Sequence, residues 1–141
     1  MPPKPTDPDL RGILADTATI AVVGASADHR RPSYEVYRYL VACRYRVYPV
    51  NPTITEIDGA PVYGRLADLP VIPDLVDVFR RREALGAVLA DTLRLAPHPR
   101  TLWLQLGLAD EQIAERAEAA GIRVVMDRCL KVEHARLFSG C

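Results

Sequence analysis

Apolar residues fall into two patterns along this chain. Short continuous runs rich in β-branched residues alternate with longer stretches whose apolar positions recur every three or four residues. The first pattern reads as strands covered on both faces, the second as helices lying against them. "TIAVVG" (19–24) is a strand ended by glycine. "YEVYRYLVAC" follows as a helix with Ser33 at its N-cap and Val36, Tyr37, Leu40 and Val41 on its apolar side. "YRVYPVNP" is a second strand, stopped by Asn51-Pro52; "DLVDVFR" (74–80) is a third, "TLWLQLG" (101–107) a fourth and "IRVVMD" the last. Between the second and third, "GAPVY" reads as a short strand or extended crossing, and "ADLPVIP" as a turn of helix before a proline-marked loop.

"RREALGAVLADTLRLA" places Leu85, Val88, Leu89 and Leu93 on one helix face and ends before Pro97 and Pro99. "ADEQIAERAEAAG" carries acidic residues in its first turn and Gly121 at its end. "CLKVEHARLF" forms a terminal helix. Residues 1–9 are expected as a loose tail and residues 10–141 as one domain, although "DPDLRGILADT" also has the signals of a short leading helix. There Asp7 is the expected cap, Pro8 the first helical residue, and Leu10, Ile13 and Leu14 the apolar face. The alternation predicts an α/β fold: a Rossmann-like, doubly wound parallel sheet of about five strands with helices on both faces.

The chain has 141 residues, room for one core, and 49% of them are hydrophobic. Its 18 basic and 18 acidic side chains cancel, which argues against a general nucleic-acid or membrane-surface binder. No apolar run is long enough to span a bilayer, and "MPPKPTDPDLRG" lacks a signal-peptide core, so a cytoplasmic location is expected. The three cysteines, Cys43, Cys129 and Cys141, suggest neither a disulfide framework nor a zinc knuckle by their spacing.

In an open parallel sheet the ligand binds beyond the carboxyl ends of the strands. The strand exits here read Gly24-Ala25-Ser26, Asn51-Pro52, Phe79-Arg80-Arg81, Gln105-Leu106-Gly107 and Asp127-Arg128-Cys129. Gly24 lets backbone approach a phosphate, and Ser26 and Ser33 can add hydroxyl donors. Arg30 and Arg31 lie in the same loop, and Arg80, Arg81 and Arg82 repeat the theme after the third strand. Guanidinium groups match phosphate oxygens in pairs. A nicotinamide cofactor needs G-x-G-x-x-G opening the helix directly and an acidic residue after the second strand; here the loop is long and the strand ends in Asn51-Pro52. The G-x-x-x-x-G-K-[ST] loop of mononucleotide binders is also absent.

Together "IAVVGAS…RRPSY", "YRVYPVNP", "VDVFRR", "WLQLG" and "VVMDRCLKVEHARL" resemble the small single-domain CoA-binding proteins, which are similar to the CoA-binding domain opening the succinyl-CoA synthetase alpha subunit. The resemblance covers about residues 10–138. It implies that Gly24, Ala25 and Ser26, with Arg31 and Ser33, hold CoA phosphates; the loop arginine pair adds Arg30 as a further candidate phosphate partner. It further implies that Asn51 and Pro52 shape the nucleotide side, that Val78, Phe79 and Arg80 line the adenine and ribose region, and that Gln105 and Gly107 border the pantetheine path. The second alpha-subunit domain with its phosphorylated histidine has no counterpart here, so acyl-CoA ligation does not carry over.

The expectation is therefore a binding module for CoA or a short acyl-CoA. An enzyme of acyl-CoA or thiol chemistry using Cys129 is the alternative, and an NAD(P)-binding oxidoreductase is the less favoured one. Glu133 and His134 are adjacent on a helix and diverge, so a structural role is expected, bonding to the last strand or across a subunit interface. Leu137 and Phe138 suit either a core contact or a homo-oligomer face.

Overall fold

The computed structural model describes residues 4–141. In chain order its elements are α1 (Asp7–Ala15), β1 (Thr19–Val23), α2 (Pro32–Ala42), β2 (Arg46–Val50), β3 (Glu56–Ile57), β4 (Ala60–Pro61), β5 (Leu75–Val78), α3 (Leu85–Leu93), β6 (Thr101–Leu104), α4 (Glu111–Ala119), β7 (Arg123–Val125) and α5 (Leu130–Phe138). Single 3₁₀ turns lie at Leu66–Asp68 and Arg82–Ala84.

Five parallel strands form one sheet in the order β2-β1-β5-β6-β7, and β3 and β4 form a separate small antiparallel ribbon. Strand order therefore reverses between β1 and β5, the place where such folds open a ligand crevice. Alternate residues of each strand face opposite layers. Ala21, Val23, Val76, Val78, Leu102 and Leu104 pack with the buried faces of α3 and α4. Ile20, Val22, Leu75, Trp103 and Val125 pack with those of α1, α2 and α5. Both layers are closed, which is why the strands read as unbroken apolar runs.

Helix ends differ from expectation in two places. Residues 7–9, assigned to the tail from sequence, belong to α1, and its cap is Thr6 rather than Asp7. The Thr6 hydroxyl accepts from the Asp9 N–H at 3.3 Å while the Asp9 carboxylate accepts from the Thr6 N–H at 2.9 Å, a reciprocal box that a cap at Asp7 could not form. The first three residues lie outside those described. In α2 the N-cap is Arg31, so Ser33 is the second helical residue and is buried. Pro32 decides this, because it fits the first helical position, where no N–H is needed. Val41, expected on the apolar side, is exposed.

The cysteines also depart from expectation. Cys43, after α2, is disulfide-bonded to Cys141, after α5, across 98 residues of sequence. Spacing could not show this pairing; it arises because α2 and α5 pack on the same face of the sheet. Among the described residues no helix is long and apolar enough to cross a membrane.

Candidate functional site

At the β1/β5 reversal, the loops leaving β1, β5 and β6 and the starts of α2 and α5 enclose a cleft of about 770 Å³. Its β1 wall is Gly24, Ala25 and Ser26, continuing through Arg31, Pro32 and Ser33 at the head of α2. Phe79, Arg80 and Arg81 form the β5 wall, and the far side runs from Gln105 to Leu108 and reaches Cys129. Among the described residues no carboxylate lines it.

Gly24 is fixed by two constraints. Its φ is +85°, and a Cβ there would land on the Phe79 carbonyl oxygen. The glycine thus lets the β1 and β5 exits touch. The N–H groups of both Gly24 and Ala25 donate to the Val50 carbonyl, at 3.0 and 3.3 Å. They bind the loop to β2 and are not free for a ligand, contrary to the backbone cradle expected at this glycine. Asn51 completes the fastening: its Nδ2 donates to the Ala25 carbonyl at 2.8 Å, and its Oδ1 accepts from the Thr53 N–H and hydroxyl at 2.8 and 2.7 Å.

The free polar groups lie further along. Among the described residues no side chain caps α2, and the N–H groups of Ser26 and Ser33 have no protein hydrogen bond. An uncapped helix start of this kind favours an anion. The Ser33 hydroxyl has no protein partner either, although the residue is buried. Around this point stand Arg31, Arg80 and Arg81, none of which forms an ion pair among the described residues. The flanking arginines are engaged. Arg30 folds back on Asp28, with its Nε and Nη2 each 3.1 Å from a carboxylate oxygen, and Arg82 lies 3.5 Å from Asp110.

The expected site residues therefore separate. Gly24, Ala25, Ser26, Arg31, Ser33, Asn51, Phe79, Arg80, Gln105 and Gly107 come together around the cleft. Arg30 does not, since its side chain is 90% exposed and held by Asp28. Val78 does not, since its side chain is sealed in the α3/α4 layer, as strand alternation requires. Pro52 lines an adjoining hollow of about 420 Å³ that shares Gly24, Asn51 and Arg80 with the cleft. Sequence reasoning did not select Pro32, Leu106 or Leu108 for the site. Leu106 was the one with a signal: a leucine between a strand and a glycine has no layer to enter, and it is 71% exposed.

Second contacts hold the far wall. Gln105 is buried, and its Oε1 accepts from the Leu130 N–H at 3.1 Å, tying the β6 exit to the start of α5. Asp127 accepts from the Gly107 N–H at 2.7 Å, fixing the turn in which Gly107 has φ +89°. Arg128 pairs with Glu133 at 3.1 Å, and Trp103 donates to the Arg128 carbonyl at 2.8 Å. Glu133 thus serves α5 itself. His134 meets the Tyr39 hydroxyl of α2 at 2.8 Å rather than the last strand. Cys129 is a partly exposed free thiol on the cleft wall.

A protein of Bacillus subtilis (strain 168), the uncharacterized protein YneT, is 36% identical over 133 residues, covering 94% of this chain and 96% of that one. The structure of cell-free ID.343 from Thermus thermophilus is 43% identical with a TM-score of 0.89, covering 95% of this chain and 100% of that one. The dinucleotide-forming acetyl-coenzyme A synthetase 1 of Ca. Korarchaeum cryptofilum shares the fold at a TM-score of 0.67 and 24% identity; the match covers 76% of this chain and 25% of that much longer one. Residues 18–135 match the family described as CoA binding domain. With most of its length inside that match, the chain belongs to the CoA-binding domain family.

Proposed function

We propose that this chain binds coenzyme A or a short acyl-CoA in the cleft at the β1/β5 reversal, as a binding module. The observation that carries the reading is the set of three arginines without ion pairs, Arg31, Arg80 and Arg81, around an acid-free cleft and an uncapped helix start. Leaving these cations close together costs free energy unless an anion completes the site. CoA carries a pyrophosphate and a 3′-phosphate, enough charge for all three. Ser26 at the β1 exit and Ser33 at the head of α2 supply neutral donors. The adjoining hollow past Asn51 and Pro52 suits the nucleotide end, and Leu106 and Leu108 give the pantetheine arm an apolar wall. A dinucleotide cofactor fits less well, because the position that should hold ribose hydroxyls is Asn51, whose amide is already committed to Ala25 and Thr53.

Titration of CoA, dephospho-CoA and pantetheine against the wild type and Arg31→Ala tests the assignment. Loss of one charged hydrogen-bonding partner should weaken CoA by about ten- to a hundredfold. If Arg31 holds the 3′-phosphate, dephospho-CoA suffers much less; equal losses reject that role. Binding of pantetheine as tight as CoA would reject the phosphate site as a whole.

Cys129 supports a second reading, thiol chemistry at the pantetheine end. Its thiolate would attack CoA disulfide, forming a protein–CoA mixed disulfide and releasing CoA thiol. Intact-mass measurement after incubation with CoA disulfide decides it: an adduct on Cys129 is the expected product, and an unmodified chain removes the reading.

A further inference from the structure

At the opposite end of α2 from the cleft, three metal-ligating side chains meet. Cys43 follows α2, Cys141 follows α5, and His134 lies on α5. Their donor atoms all lie within 4.8 Å of one another. The eleven residues of α2, at about 1.5 Å rise each, separate this cluster from the cleft. His134 is buried; its Nδ1 is 2.8 Å from the Tyr39 hydroxyl and 4.0 Å from the Cys43 Sγ. Tyr39 and Tyr45 meet the imidazole edge-on and Phe138 stacks on it at 4.9 Å, so the ring is held and shielded by aromatic neighbours. Cys141 is exposed, which leaves a way in from solvent.

We propose that the reduced form of this cluster is a binding site for a thiophilic divalent cation, zinc in the first instance, with Cys43, Cys141 and His134 as its protein ligands. Two thiolates and an imidazole are the donor set that zinc takes, and solvent completes the tetrahedron. In the disulfide form the two sulfurs are bonded to each other and the site is closed. A dithiol reductant opens it: two electrons and two protons pass to the cysteine sulfurs, and the reductant leaves as its own disulfide. Zinc then replaces the two thiol protons, which are released, and takes the Nδ1 lone pair in place of the Tyr39 hydroxyl. Metal uptake and disulfide formation thus exclude one another at the same residues.

The test uses the full chain, reduced with a phosphine, freed of reductant without air, and titrated with zinc against a chromogenic chelator. Cobalt serves as a spectroscopic probe, through thiolate charge-transfer absorption and the intense visible bands of a tetrahedral site. One equivalent of zinc held by the reduced chain, and none by the oxidised chain, is the expected result. Cys141→Ser should weaken uptake by about tenfold or more without disturbing the fold, since Cys141 is exposed and outside the helices. His134→Gln should weaken it similarly. A reduced chain that surrenders all its zinc to the chelator, or zinc retention unchanged by either substitution, would overturn the proposal.

Discussion

At the residue scale, Gly24 and Asp77 both act on the stability of the fold. Gly24 was marked in the sequence as a phosphate-loop glycine, but its necessity comes from the Phe79 carbonyl and a positive φ. Gly24→Ala should therefore destabilise the fold itself, by more than the ~1–2 kcal/mol that an ordinary residue loses in that conformation. Urea melts without ligand check this, and an unchanged midpoint would contradict the contact. Asp77, read only as part of a strand, is fully buried between Val22 of β1 and Trp103 of β6, and neither carboxylate oxygen has a hydrogen bond. Burial drives its pKa well above the usual carboxylate value. The folded chain thus keeps a proton that the unfolded chain releases, so stability falls as pH rises from the carboxylate range towards the raised folded value. Within that window one proton contributes up to about 1.4 kcal/mol per pH unit. His134, whose pKa burial lowers, acts the other way, losing stability as pH falls through the imidazole range. The difference between wild type and Asp77→Asn isolates the carboxyl. The variant should gain relative to wild type as pH rises above the ordinary carboxylate range in paired denaturant melts, and a pH-independent difference would contradict a protonated Asp77.

At the element scale, the strands were legible because each is a continuous apolar run, and their exits were legible because polarity begins abruptly there. Which exit residue faces the cleft was not legible, since that depends on partners distant in sequence. Arg30 and Arg31 look alike in the string "HRRPS", yet Asp28 takes one and leaves the other. The β3/β4 ribbon was the least readable element, being two residues on each side, and it turns out to brace the cleft loop. Asp58, at its turn, accepts from the Tyr34 hydroxyl at 2.6 Å and meets His29 Nε2 at 3.2 Å. The Tyr34 hydrogen bond, with His29 and Arg38 nearby, holds the Asp58 carboxyl below its ordinary value. The clasp consequently persists through neutral pH and opens as Asp58 protonates in acid. Asp58→Gly should leave the thermal midpoint almost unchanged, because the contact is exposed and glycine accepts the φ of +50° there, while weakening CoA by about two- to fivefold through a looser loop. Titration calorimetry with a parallel melt checks both; an unaltered affinity would mean that the ribbon does not brace the site.

At the scale of the whole molecule, formal neutrality conceals a local separation of charge. The 18 basic and 18 acidic groups balance overall, yet the cleft exposes three arginines and no acid. Long-range attraction for an anion is therefore weak, and on the proposed reading CoA would be held by contact within the crevice created by the β1/β5 reversal. That reversal follows from right-handed crossovers and could be anticipated from the alternation of elements, whereas the Cys43–Cys141 link could not, because it depends on two helices meeting after the sheet has formed. The central claim, that this crevice is a CoA site, is tested most directly by parallel calorimetric titration of the full chain with CoA, acetyl-CoA, NAD and NADP. Saturable binding of CoA or acetyl-CoA, lost when Arg31 and Arg80 are both replaced by alanine, is the predicted result. Binding of NAD or NADP in preference to CoA would contradict it.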